Sequence, residues 1–231
     1  MPADKGPRPG RRYSTFVGVA FLILIVVATV NTIRTQSGGM LGASNDERGI
    51  PLPEFAVPNA RTGPLDKDAN IAQDDCSTSE NPCPSDARHP PACEIPRHGA
   101  IRICDFFDRP LVLSFWFTRG ADCLPTQDAV DRVASRYRGR VNFLSIDVRD
   151  DPSDVRRIAD ERGWKIPVGY DRDGAVSDLY RVGGCPTVAF AYPGGILDFA
   201  KIGADQLSPP QLGSDVQRLL DQSRERAREE R

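Results

Sequence analysis

The longest apolar run in the chain, Phe16 to Val30, contains no ionisable side chain and only one Gly and one Thr among its hydrocarbon residues. A helix of about 20 residues spans the hydrocarbon layer of a bilayer, so Tyr13 to Ile33 reads as a transmembrane helix. From Ala100 onward the rhythm is that of a folded domain. Leu111 to Phe117 is apolar almost throughout and has strand length, the pattern of a strand covered on both faces. Val130, Val133, Ala134 and Tyr137 recur at i, i+3, i+4 and i+7 and mark one face of a helix ending near Gly139. Val141 to Val148 is a second buried strand, and Asp151-Pro152 supplies an N-cap and first-turn proline to a helix carrying Val155, Ile158 and Ala159. A third helix is expected over Ala175 to Val182. Val188 to Tyr192 and Ile196 to Lys201 form a hairpin through Pro193-Gly194-Gly195, and Leu212, Val216, Leu219 and Leu220 line a last helix. Alternating strands and helices closed by a hairpin imply an α/β domain, with a mixed central sheet flanked by helices and one transmembrane helix ahead of it.

The flanking charges orient that helix. Lys5, Arg8, Arg11 and Arg12 precede it and only Arg34 closely follows, so the positive-inside rule keeps residues 1–12 in the cytoplasm and exports the rest. The expected location is the cytoplasmic membrane, single-pass, with the C-terminal domain extracytoplasmic. A cleaved leader has the same basic head and apolar run, but this run is long and Thr29 to Thr32 offers no small-x-small cleavage site, which favours a retained anchor. Residues 34–50, rich in Gly, Ser and charge, read as a linker. The domain is expected over 51–222, with an insertion at about 59–99 that is crowded with Pro, Asp and Ser, lacks a hydrophobic period and needs cross-links to be ordered. Residues 223–231, nearly all charged, read as a solvated, frayed tail. The 231-residue chain has a net charge of −2 with both signs spread along it, which leaves no basic face for nucleic acid.

Six cysteines in an exported chain point to disulfides, and six allow 15 pairings among which spacing does not choose. Cys76, Cys83, Cys93 and Cys104 lie with His89 and His98 nearby, separated by six, nine and ten residues. Zinc motifs bring cysteines in close C-x2-4-C pairs, so these four read as structural disulfide candidates rather than metal ligands.

Several signatures in order resemble the thioredoxin superfamily, specifically membrane-anchored TlpA/ResA-like proteins and redoxins of the AhpC/TSA type. In that family a buried strand ending in Phe-Trp runs into W-C-x-x-C at a helix start; here the strand ends Phe115-Trp116 and the turn reads Gly120-Ala121-Asp122-Cys123. A Gly-x-Pro-Thr loop with a cis proline follows in the family, matched by Gly184-Cys185-Pro186-Thr187. The departures bear on function. Gly120 stands where the attacking cysteine belongs, and Ser114 where thioredoxins carry a buried Asp.

The resemblance implies that Cys123 lies in the first turn of a helix, where free N–H groups favour a thiolate; Arg119 supports that and Asp122 opposes it. It also implies that Cys185, ahead of the cis proline, packs against this turn, so Cys123 and Cys185 are the candidate catalytic pair, a redox couple spread over two loops. Trp116 reads as a core aromatic of the turn. The expected function is that of a membrane-tethered thiol-disulfide oxidoreductase or redox sensor acting on exported protein thiols or disulfides, with a membrane redox partner and no cofactor. A non-catalytic thioredoxin-like binding module is the alternative. A peroxiredoxin-like peroxidase using Cys123 is a third reading, faintly echoed by Phe117-Thr118 and Pro125-Thr126, although Gly120 and Trp116 occupy the Thr and Pro positions of the P-x-x-x-T-x-x-C pattern.

Overall fold

The computed structural model describes residues 17–27, 49–63, 72–73, 91–120 and 122–229. It divides into two units, residues 1–38 and 39–231. In the first, residues 17–27 form helix α1, with Phe21, Leu22 and Leu24 exposed. Among the described residues no helix is long and apolar enough to cross a membrane. The remainder of the expected span, 13–16 and 28–33, lies outside the described residues, as do residues 1–12 and most of the expected linker.

The second unit is built on a five-stranded sheet of β4 (Leu111–Trp116), β5 (Asn142–Val148), β6 (Val168–Asp171), β7 (Thr187–Tyr192) and β8 (Ile196–Ile202), in the order β6-β5-β4-β7-β8. β4, β5 and β6 are parallel; β7 runs antiparallel to β4, and β8 to β7. Central β4 is buried at every residue, which is why it reads as an unbroken apolar run. On one face Val112, Phe143, Val188 and Phe190 pack against Val130 and Val133 of α2 (Leu124–Arg136) and against Leu212, Val216 and Leu219 of α5 (Pro209–Glu229). On the other, Leu113, Phe115, Leu144 and Ile146 meet Val176 of α4 (Ala175–Leu179) and Tyr180 just beyond it. α3 (Pro152–Glu161) starts as expected, with the Asp151 carboxylate accepting the Ser153 N–H at 2.9 Å.

The structure departs from expectation in four places. β6 went unforeseen, because four residues containing Gly169 carry too short a period to register. The segment ahead of Ala100 holds regular structure: β1 (Phe55–Pro58) pairs antiparallel with β2 (Ala72–Gln73) and with β3 (Ala100–Arg102). Two of these three strands fall in or at the edge of the expected loop-like insertion, where main-chain pairing replaces a hydrophobic period. The third helix stops at Leu179. Finally, α5 runs through the expected frayed tail to Glu229, with Ser223 buried and its hydroxyl bonded to the Leu219 carbonyl at 2.7 Å, and with the Arg226 guanidinium 4.0 Å over the Tyr192 ring.

The small sheet is fastened to the large one. Tyr180 stacks edge-on to Phe55 at 5.6 Å and lies 5.4 Å from Phe115, and its hydroxyl donates to the Pro53 carbonyl at 2.6 Å. Each aromatic pair contributes about 0.5–1.5 kcal/mol beyond simple burial. Burial also pushes the Tyr180 phenol well above its ordinary value, with the Glu54 charge adding to the effect, so it keeps the proton that it donates to Pro53.

Candidate active site

The carboxyl ends of parallel strands and the N-terminus of the following helix are where α/β folds place their sites, and the loop from Phe117 to Asp122 leaves β4 at this point. Gly120 adopts a φ of +82°, a left-handed conformation that side chains disfavour, which turns the chain toward α2. Asp122 is exposed; Ala121 lies outside the described residues. Cys123 occupies the N-cap position of α2, one residue ahead of the first turn where it was expected, and its carbonyl accepts the Gln127 N–H at 3.1 Å.

The second loop leaves α4 and returns through Gly184, Cys185 and a cis Cys185–Pro186 peptide. Two bonds shape it: the Thr187 hydroxyl donates to the Gly184 carbonyl at 2.6 Å, and the Gly203 N–H to the Pro186 carbonyl at 2.9 Å. Thr187 starts β7 opposite Phe115 of β4, so the strand pairing sets the loop beside the end of the central strand. There Cys123 and Cys185 are joined by a disulfide, with Cα atoms 5.9 Å apart, within the range such bonds require. Cys123 is completely buried among Trp116, Trp164 and Val155, whereas Cys185 is half-buried, 3.9 Å from the Phe117 carbonyl.

Trp116 is core, packed edge-on against Trp164 at 5.1 Å. The Arg119 guanidinium lies 3.6 Å from the Asp150 carboxylate, the loop's anchor, and is largely exposed. That anchor, Asp150, was not foreseen. Almost fully buried, it accepts the Thr118 N–H at 2.7 Å and the Thr118 hydroxyl at 2.9 Å, pinning the loop to the end of β5.

A second unforeseen feature is a buried polar stripe under α2. Ser114 pairs with Ser145 and Trp116 with Asp147 in the parallel register, which puts the four side chains on one face. Ser114 donates to the Gln127 side chain at 2.9 Å. Trp116 Nε1, Gln127 Nε2, Ser145 Oγ and Asp147 Oδ2 are buried with no hydrogen-bond partner among the described residues. Burial, followed by the neighbouring Asp150 charge, raises the Asp147 carboxyl well above its ordinary value, so it keeps its proton where a surface Asp has lost it. Ser114 and Trp116 stand out in the sequence, Gln127 and Ser145 carry no signal there, and the signal for Asp147 is the run of acids from Asp147 to Asp151.

Of the upstream cysteines, Cys93 and Cys104 form a disulfide with Cα atoms 5.9 Å apart, while Cys76 and Cys83 lie outside the described residues.

No family model matches the chain. Two solved structures share its architecture: a protein from Chlorobium tepidum assigned as the thiol:disulfide interchange protein DsbE (16% identity, 77% of this chain and 99% of that one, TM-score 0.55), and an uncharacterised protein from Geobacillus kaustophilus (17% identity, 75% and 82%, TM-score 0.54). The fold is thioredoxin-like. In sequence, the thioredoxin-like chain is 26% identical over 105 residues to the thiol-disulfide oxidoreductase ResA of Oceanobacillus iheyensis, covering 45% of this chain. It spans about half, 55%, of that relative's length.

Proposed function

We propose that this thioredoxin-like chain is a thiol-disulfide oxidoreductase whose redox couple is Cys123 with Cys185. The observation that carries the reading is the bond between these two sulfurs across the active-site turn and the cis-proline loop, one sulfur buried and the other half-exposed.

Exposure assigns the roles. A substrate thiolate reaches the Cys185 sulfur and attacks it; the mixed disulfide forms on Cys185, and Cys123 leaves as a thiolate at the N-terminal end of α2, where unpaired N–H groups stabilise negative charge. A second substrate thiolate then attacks the substrate sulfur of the mixed disulfide, releasing an oxidised substrate and the Cys185 thiolate. Run backwards, the Cys185 thiolate attacks a substrate disulfide and Cys123 resolves the intermediate, so two electrons pass in either direction. Cys185 thus takes the work of the cysteine that Gly120 replaces. A peroxidatic Cys123 gains no support, since its sulfur is buried and Gly120 offers no hydroxyl for a peroxide.

The same reading puts the domain outside the cytoplasm on a single-pass anchor at residues 13–33, acting on exported protein thiols or disulfides with a membrane redox partner. Its support is the uncharged apolar run, the basic residues ahead of it and the exposed apolar side chains of α1. Protease treatment of intact cells should spare the tail of residues 1–12 and remove the domain.

Titration against a thiol redox buffer, with disulfides mapped by mass spectrometry, tests the couple. Reversible opening of Cys123–Cys185 above about −300 mV, where structural disulfides generally stay closed, is expected. A bond that stays closed throughout leaves the binding-module reading.

A further inference from the structure

We infer that Cys93, Cys104 and Glu54 form a site for a zinc-class divalent cation that opens when the Cys93–Cys104 disulfide is reduced. This site is separate from the Cys123–Cys185 couple and stands or falls independently of it.

The two sulfurs and a Glu54 carboxylate oxygen all lie within 4.8 Å of one another, and all three residues are half-buried, open to solvent on one side. Glu54 Oε2 sits 2.7 Å from Cys93 Sγ. A disulfide sulfur has no hydrogen to donate to this carboxylate, whereas a thiol has one and two thiolates can share a cation with it. Sequence spacing hides this set, because Glu54 comes from the residue just before β1 and the cysteines from two 3-10 turns, Ala92–Glu94 and Ile103–Phe106.

The frame does not depend on the disulfide. Arg102 donates to the Cys93 carbonyl at 2.7 Å and to the Ile95 carbonyl at 3.2 Å, and its guanidinium is held in turn by Asp105 at 2.6 Å. Arg102 also belongs to β3, paired with Ala56 of β1 two residues from Glu54. Opening the S–S bond therefore leaves both cysteines and the carboxylate in place, and the sulfurs need only part from bonding distance to accept an ion about 2.3 Å from each, with the carboxylate at about 2.1 Å. Two thiolates and one carboxylate suit a borderline-soft ion, with a fourth position left for water. The nearby Arg102 guanidinium offsets part of the excess negative charge.

The redox step needs a dithiol reductant. Its thiolate attacks one sulfur, its second thiol resolves the mixed disulfide, and it leaves as a disulfide, having delivered two electrons and two protons to Cys93 and Cys104. Binding of the cation then releases those two protons to solvent.

The test uses the full chain carrying Cys76→Ser, Cys83→Ser, Cys123→Ser and Cys185→Ser, reduced with a phosphine and titrated with zinc against a chromophoric chelator. One zinc per chain is expected after reduction and none after reoxidation. Outer-shell partners of a metal carry tenfold or more in affinity, so loss of a ligand in Glu54→Gln should weaken binding by at least about tenfold. Equal binding before and after reduction, or undiminished binding by Glu54→Gln, overturns the inference. Should the four-fold variant fail to fold, the reduced wild-type chain is compared with the Cys93→Ser/Cys104→Ser variant. A difference of one zinc per chain supports the site, and no difference overturns it.

Discussion

Cys123 and Cys185 lie 62 residues apart in sequence and 5.9 Å apart at Cα, yet only Cys185 has surface that a second molecule can reach. Thiol exchange follows access as well as thiolate character. The two single-serine variants should therefore behave differently. With the resolving sulfur gone, Cys123→Ser should accumulate a stable mixed disulfide on Cys185 when given a small-molecule disulfide. Cys185→Ser should react more slowly through buried Cys123, on the order of tenfold or more. Mass spectrometry of the intact, unreduced variants reads both, and equal labelling would sink the assignment of roles.

The loop that covers this bond depends on Asp150, whose carboxylate takes both the amide and the hydroxyl of Thr118. Asp150→Ala removes two bonds to a charged acceptor, each contributing about 1.5–3 kcal/mol when the partner would otherwise be left unmet. Because Thr118 can partly turn to water, the expected loss is at the low end, about 1–3 kcal/mol in denaturant unfolding. Amide exchange at Thr118 should accelerate while exchange in β4 stays slow. Uniform acceleration would mean that Asp150 supports the whole sheet and not the loop.

How much of this could be read from the chain follows the physics of each element. β4, β5, α2 and α3 were legible because each buries a face over at least two periods and α3 opens on a capping pair, Asp151 and Pro152. β6 was not, because Val168 to Asp171 makes only one period and owes its strand to pairing with Ser145 to Val148. β2 and β3 were hidden for the same reason, β3 pairing with residues of β1 up to 46 positions away. At the site, Cys185 became visible through the Gly-x-Pro-Thr resemblance. Asp147 and Asp150 stayed hidden because nothing in the sequence tells a buried acid from a solvated one until the register sets Asp147 beside Trp116 and the loop brings Thr118 onto Asp150. Arg119 stands in the turn beside a carboxylate 31 residues on, a neighbour that an Arg near a Cys does not announce.

Gly169 marks a place where sequence and packing conflict unless the side chain is absent. A Cβ there would lie 2.6 Å from Val57 Cγ2 and 3.1 Å from Ile146 Cδ1, so β1 packs against β6 only because the residue is glycine. Gly169→Ala should cost about 1–3 kcal/mol, the usual range for overpacking. Val57→Ala alone should cost something for its cavity, and the double variant should be more stable than the sum of the two predicts. A double-mutant cycle by denaturant unfolding measures that coupling. Simple additivity would place the strain elsewhere.

Asp147 gives the domain a pH dependence opposite to that of its surface acids. Its carboxyl is raised first by burial and then by the neighbouring Asp150 charge, so the folded state holds this proton to higher pH than the unfolded chain does. Between the two values the native state binds more protons, and stability falls as pH rises. Above the folded value the full cost of the buried charge is present. Asp105, lowered by its bond to Arg102, and Asp151, lowered by Ser153, work the other way and lose their contributions as pH drops below the carboxylate range. These act equally in wild type and Asp147→Asn and cancel in the comparison. The difference in unfolding free energy should shift in favour of Asp147→Asn with rising pH, by no more than about 1.4 kcal/mol per pH unit. Parallel stability curves from about pH 4 to about pH 8, both measured with the Cys123–Cys185 bond closed, would show that Asp147 titrates alike in folded and unfolded chains.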